Sequence, residues 1–259
     1  MKGIAFFVEG ATEYDFILQL LQSKYAFWKP LPITDHVCIL DSTDNRYRAR
    51  ISNAASDSRV KDELWDSQEK LQEIGYSTFL CIRDLRGEWK KNKPKTLSDV
   101  VKIKNADSKI LKLNNDDNLS LYSILAVMET ETWFITETSH YERINPKLTR
   151  PFIEANIDNI EGNVNPFVCS PKAIYEPAET LKSIYKLVGL IYEKDANHRR
   201  RTIRALDYNF FDQRSCGKNR TRFTARIDSG KQIGTILQRQ IRWPRYTRRS
   251  PRQILRGIN

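Results

Sequence analysis

The sequence predicts an α/β fold: a mostly parallel sheet flanked by helices, followed by a helical C-terminal part and a basic tail. Two observations predict the sheet. Short apolar runs alternate with amphipathic stretches over roughly the first half of the 259 residues, and β-α-β-α-β alternation favours parallel strands joined by right-handed crossovers. Each run also ends on an acid: IAFFVEG at Glu9, HVCILD at Asp41, STFLCIRD at Asp84, and LSLYSILAVMETE at Glu129 and Glu131. A third observation predicts the helical part, since from Tyr141 to about Asp195 the pattern is helical, with Leu181, Ile184, Tyr185, Leu187, Val188, Leu190 and Ile191 lining an amphipathic face or core.

Taken in order, residues 3 to 8 read as a buried strand. Thr12 can cap a helix running through Tyr14, Ile17, Leu18, Leu20, Leu21 and Tyr25, which Pro30 and Pro32 stop. A strand is expected over 36 to 41 and a polar loop over 42 to 56. Residues 57 to 74 read as a helix with Val60, Leu64, Leu71 and Ile74 inward and Gly75 closing its C-terminus. Strand 76 to 83 follows, then an irregular Lys-rich insertion, GEWKKNKPK, and a polar stretch from Asn105 to Asn118. A last strand over 119 to 128 leads into the short helix ETETWFITET. The expected organisation is an α/β domain over 1–140, a helical extension packed on it over 141–205, and an Arg-rich tail over 206–259, read as an extension, a disordered arm or a shifted reading frame.

No stretch approaches the roughly 18 apolar residues of a membrane span, and the chain enters a strand pattern at once, without the regions of a signal peptide. A cytoplasmic protein is expected. Cys38 and Cys81 lie inside apolar strand runs and read as buried, reduced thiols; Cys38, Cys81, Cys169 and Cys216 form no C-x-x-C pair. His36, His140 and His198 are too scattered for a ligand set and read as surface or structural residues.

The net charge of +11 hides an asymmetry. Residues 199 to 259 hold 15 Arg and 2 Lys against 3 Asp, so this end carries +14 and the preceding residues −3. A basic arm is the electrostatic footprint of a nucleic-acid binder, and equally the composition of a solvated surface. Arg242, Trp243, Arg245, Tyr246, Arg248 and Arg249 interleave cations with aromatics, as single-strand and RNA binders do. Lys90, Lys91 and Lys93 stand beside the strand-end acids and are further candidates for holding a phosphate backbone.

The acids carry the chemistry. Carboxyl ends of parallel strands are where open α/β sheets bind ligands. Carboxylates gathered there repel one another and are reconciled by a hard cation. The expected metal ligands are Glu9, Asp84, Glu129, Glu131 and Asp41, with Mg²⁺ or Mn²⁺ as the cofactor; a strand-ending Asp such as Asp41 is also a common turn residue. Trp133 and Phe134 read as core anchors.

The opening VEGATEYDFI resembles the first motif of a TOPRIM domain, in which an apolar strand delivers a glutamate to a Gly turn and a helix. STFLCIRDLRG resembles the second, acidic motif. METETWFITE resembles the E-x-W-F signature of small TOPRIM-like proteins found beside ATPase genes in bacterial defence loci, relatives of OLD-family nuclease domains. The resemblance spans residues 1 to about 205 and implies a TOPRIM/Rossmann-like fold. It also implies a metal held by Glu9 and Asp84 for chemistry at phosphodiester bonds, with Glu9, Asp84 and Arg86 as the catalytic residues, Glu9 as ligand or general base and Arg86 clamping a phosphate oxygen. One departure stands out: Arg86 occupies the position of the motif's second aspartate. Two functions follow. One is a Mg²⁺-dependent nuclease acting on DNA or on tRNA or other RNA, the effector of an antiviral defence system with an ATPase partner. The other is a catalytically silent TOPRIM-like module that binds nucleic acid or that ATPase.

Overall fold

The computed structural model describes residues 1–34, 36–85, 119–127, 129–169, 174, 176–193 and 195–213. Among them the strands β1 (Lys2–Val8), β2 (Phe27–Thr34), β3 (Val37–Ser42), β4 (Tyr47–Asn53), β5 (Tyr76–Leu85) and β6 (Ser120–Val127) form one sheet in the order β2-β3-β4-β1-β5-β6. The pairs β1 with β4, β1 with β5, and β5 with β6 are parallel, whereas β3 is antiparallel to both its neighbours. The fold is therefore α/β, with a mixed, mostly parallel sheet flanked by helices.

Helices α1 (Ala11–Lys24) and α2 (Asp57–Glu73) cover opposite faces. Ile4, Phe6 and Val8 point from β1 into a core with Phe16, Ile17, Leu20 and Leu21 of α1. Ala5 and Phe7 point the other way, onto Val60, Leu64 and Leu71 of α2. Covered on both sides, β1 needs the unbroken apolar run that its sequence displays. Gly75, at φ 92°, takes the left-handed turn that closes α2.

The helices α3 (Glu131–Thr136), α4 (His140–Ile144), α5 (Arg150–Glu154), α6 (Pro177–Lys186), α7 (Ala196–Ala205) and α8 (Phe210–Gln213) follow β6. Their apolar residues, among them Phe134, Tyr141, Leu181, Ile184 and Ile203, continue the α1-side core without a break. Trp133 and Phe134 anchor there on the Phe16 ring, at centroid distances of 5.4 and 5.9 Å. Cys38 and Cys81 are buried, as expected. Among the described residues no helix is long and apolar enough to cross a membrane.

Two expectations fail between α1 and α2. Residues 27–34 pair as the edge strand β2 despite Pro30 and Pro32, because an edge strand can present positions without an N–H to the unpaired side. Residues 47–53, expected as loop, form β4 beside β1. Its sequence YRARISN buries Tyr47, Ala49 and Ile51 and turns Arg48 and Arg50 outward. The second apolar run is consequently the middle of an antiparallel meander and not a crossover strand.

Gly3 pairs with Tyr76 where the β1–β5 register shifts. A Cβ on Gly3 would lie 2.4 Å from Tyr76 Cγ and 2.6 Å from its Cα, a clash with backbone that no rotamer relieves. Gly3→Ala is expected to destabilise by about 1–3 kcal/mol, seen as a lower urea midpoint; an unchanged midpoint would mean that the strand start is free to shift.

The helical part is also pinned by a buried polar network. His140 is fully buried, with Nδ1 against the Glu137 carbonyl and Nε2 3.0 Å from the Tyr185 hydroxyl. The Glu137 carboxylate, also buried, accepts from Arg143 Nη2 at 2.9 Å and from the Asp207 amide at 3.2 Å. Burial pushes His140 down to about 4, so the native state refuses a proton that the unfolded chain takes near pH 6.5. That stability is complete above about pH 6.5 and is lost as pH falls towards 4, on the order of 3 kcal/mol. Glu137 acts in the opposite sense, because burial raises its carboxyl and its charged form costs stability as pH rises. In His140→Gln the melting temperature at pH 7 should drop, yet fall less steeply between pH 6.5 and 4 than in wild type; parallel wild-type and variant curves would remove His140 as the cause.

Candidate active site

The four parallel strands run β4-β1-β5-β6 across the sheet. From β1 the chain passes by α1 to the β2-β3-β4 side of the sheet, whereas β5 is followed by β6 on the other side. The connections therefore diverge above the carboxyl ends of β1 and β5, leaving the crevice in which open sheets bind ligands.

Glu9 is the first residue past β1, and Asp84 lies one residue from the end of β5. The Glu9 amide donates to the Ile82 carbonyl at 3.1 Å, which extends the ladder into the crevice. Its carboxylate bends across and accepts from the Asp84 amide, Oε2 to N 2.8 Å. The two acids expected to meet therefore share one edge. Both are half-buried.

Two further residues join them that the sequence reading did not single out. Glu13, in the first turn of α1, is only 4% exposed and its carboxylate faces the same group. Thr130, just past β6 and fully buried, donates its amide to Asp84 Oδ1 at 3.1 Å and its hydroxyl to Glu13 Oε1 at 2.5 Å; the hydroxyl is also 3.3 Å from Asp84 Oδ1. A Cβ on Gly10 would come within 3.0 Å of Glu13 Oε2, so the glycine of the VEG turn leaves room for this carboxylate. The sequence signals were a second acid four residues after Glu9 and a polar residue between two glutamates. Both read equally well as ordinary helix-start residues.

Glu129 and Glu131 stand at the same edge on either side of Thr130, where each holds a part of the helical half. Glu129 Oε2 accepts from the amide of Ala178 in the first turn of α6, at 3.1 Å. Glu131 is 1% exposed and Oε1 accepts from the Tyr192 hydroxyl at 3.1 Å. Asp41 is not part of this group. Because β3 runs antiparallel, its end falls at the opposite edge, paired with Arg48 near the start of β4. There Arg48 holds it through Nε and Nη2 at 2.7 and 3.0 Å, which keeps its carboxyl below the usual range. Arg86, Lys90, Lys91, Lys93, Arg242, Trp243, Arg245, Arg248 and Arg249 lie outside the described residues.

The carboxylates of Glu13 and Asp84 meet at one threonine and that of Glu9 sits on the Asp84 amide, and like charges so gathered repel one another. Positive charge is supplied to such a group either by a cation or by a basic side chain, and Arg86 follows Asp84 by two residues. The donors suit Mg²⁺ or Mn²⁺, being hard oxygens at a solvent-reaching crevice. Mg²⁺ keeps several of its waters and uses one or two carboxylates. Among the described residues, the trio of ligand atoms lying within 4.8 Å of one another is instead Glu193, Asp195 and His198. Helix capping accounts for that trio: Asp195 accepts from the amides of Asn197 and His198 at the start of α7, and its carboxylate also meets the His198 ring.

The first arginines of the basic end are used internally. Asp15 of α1 is 4% exposed and accepts from Arg199 through Nε and Nη2, both at 2.7 Å, and from Arg200 Nε at 3.3 Å. Arg201 donates to the Ile191 carbonyl at 2.7 Å. These guanidinium groups fasten α7 beside α1 and the preceding loop. Comparisons with models of protein families, with curated proteins and with solved structures find no match to this chain.

Proposed function

We propose that the crevice between β1 and β5 binds Mg²⁺ or Mn²⁺ and cleaves phosphodiester bonds in nucleic acid, as a TOPRIM-like nuclease. The observation that carries this reading is the hydrogen-bonded group of Glu9, Glu13, Asp84 and Thr130 at the point where the sheet's connections diverge. The order of elements, a strand delivering Glu9 to a Gly turn and helix and a later parallel strand delivering Asp84, also suits the TOPRIM resemblance. In this reading Glu9 and Asp84 hold the cation and Glu13 completes the acidic wall; Glu129 lies at its rim, and Glu131 ties the wall to the helical half through Tyr192. A bound Mg²⁺ would supply Lewis-acid polarisation of a phosphoryl oxygen and a more acidic water. Glu9, whose carboxylate spans the crevice, is then placed to orient that water or take its proton. Arg86 and the insertion lysines Lys90, Lys91 and Lys93 supply the positive charge that a phosphate backbone needs, with the Arg-rich end as a second contact. The biological setting we favour is an antiviral effector in the cytoplasm whose activity a partner ATPase restrains or releases.

Arg86 supports a second reading. If its guanidinium neutralises Glu9 and Asp84, the crevice takes no metal and the chain is a binding module for nucleic acid or the ATPase. The test is cleavage of DNA and of tRNA by the purified protein in Mg²⁺, in Mn²⁺ and in EDTA. Metal-dependent cleavage supports the first reading. Binding of either nucleic acid with no cleavage under any of the three conditions favours the second.

A further inference from the structure

We infer that Thr130 is a positioning residue whose hydroxyl and amide hold Glu13 and Asp84 as one cation-binding unit. The inference rests on the reading of the crevice as a metal site. The side chain is fully buried, so its hydroxyl has no water to turn to and must find its acceptors among the acids. A hydroxyl has one proton. It goes to Glu13 Oε1, the closer oxygen at 2.5 Å, while Asp84 Oδ1 at 3.3 Å is served by the amide at 3.1 Å. One residue thus offers a separate donor to each of two carboxylates that arrive from different elements, α1 and β5. Each donor offsets part of the repulsion between the two carboxylates and ties both to one residue.

Thr130 is itself held from both sides. Glu129 before it is fixed by the Ala178 amide of α6, and Glu131 after it by the Tyr192 hydroxyl. Two hydrogen bonds to the helical half thereby set the place of the residue that spaces the acids. Asp84 in turn fixes Glu9, whose carboxylate accepts from the Asp84 amide. The chain of contacts runs from α6 and the Tyr192 loop, through Thr130, to each acid of the crevice.

The test compares wild type with Thr130→Val, which keeps the shape and loses the hydroxyl proton, and Thr130→Ser, which restores it. Mn²⁺ affinity is read by calorimetry, and the fold by the thermal melt of the metal-free protein. A residue that orients metal ligands typically contributes about 10- to 100-fold in metal affinity, so the Val variant should bind Mn²⁺ at least tenfold more weakly and the Ser variant within about threefold of wild type. A merely structural role would lower the melting temperature without Ser returning the affinity. Thr130→Ala, which leaves space in place of a misfit, serves if the Val variant does not fold. Wild-type affinity in a folded Val or Ala variant overturns the role of Thr130 and leaves the crevice as a metal site. No Mn²⁺ binding by wild type overturns the metal site itself, and the positioning role with it.

Discussion

Glu9→Gln and Asp84→Asn should each reduce Mg²⁺-dependent cleavage by about a thousandfold or more, while leaving the protein folded. The size of the loss follows from removing a Lewis acid worth several kcal/mol in the transition state, at 1.36 kcal/mol per factor of ten. Preservation of the fold follows from the hydrogen bonds. In both variants the amide oxygen can still accept: from the Asp84 amide in place of Glu9 Oε2, and from the Thr130 amide in place of Asp84 Oδ1. The charge is lost, and with it part of the repulsion within the acidic group, while the second oxygen becomes an NH₂ donor. The melting temperature of the metal-free variants should therefore equal or slightly exceed that of wild type. The diagnostic is the pairing of lost activity with retained stability. Full cleavage by either variant, or cleavage undiminished in EDTA, would move the function to the binding module. A matching loss of activity and stability would instead show that the amides break the local structure.

The parts of this architecture that could be read from the chain are those in which one signal dominates. β1 is an unbroken apolar run because helices cover both its faces, and α1 and α2 show a clear apolar stripe. That was enough to bring Glu9 and Asp84 to one edge. β4 was hidden because one of its faces is open, so Arg48 and Arg50 alternate with Tyr47, Ala49 and Ile51 and the charges mask the period of two. Missing that strand also inverted β3, since a strand's direction is set by its partners and not by its own residues, and Asp41 went to the wrong edge with it. Prolines 30 and 32 misled in a similar way, because they mark an edge strand as readily as the end of a helix. Glu13 and Thr130 were illegible for a different reason. Their role depends on α1 and the start of α3 meeting over β5, a contact between segments 117 residues apart that no local pattern encodes.

Asp15→Ala should be the most destabilising single substitution of a charged residue in the described structure, by about 3–5 kcal/mol. Asp15 is almost fully buried and its two oxygens receive Arg199 and Arg200. Arg200 is more than half exposed and can return to water, but Arg199 is 9% exposed and would keep its charge inside the fold without this counter-charge. That residual burial, more than the lost attraction, sets the cost. The distinction can be measured: replacing both partners, Asp15→Leu with Arg199→Met, removes the charge along with its partner and should recover most of the stability lost in Asp15→Ala. Urea unfolding of the three proteins reads both effects. A loss below about 1 kcal/mol in Asp15→Ala would mean that the pair behaves as an exposed one. A double variant no more stable than the single one would mean that the guanidinium is needed for its shape and hydrogen bonds. If the larger loss is found, the start of the Arg-rich end is a clamp between α1 and α7. The positive charge available to a nucleic acid must then come from elsewhere: Arg86, the insertion lysines, and the arginines that follow α8.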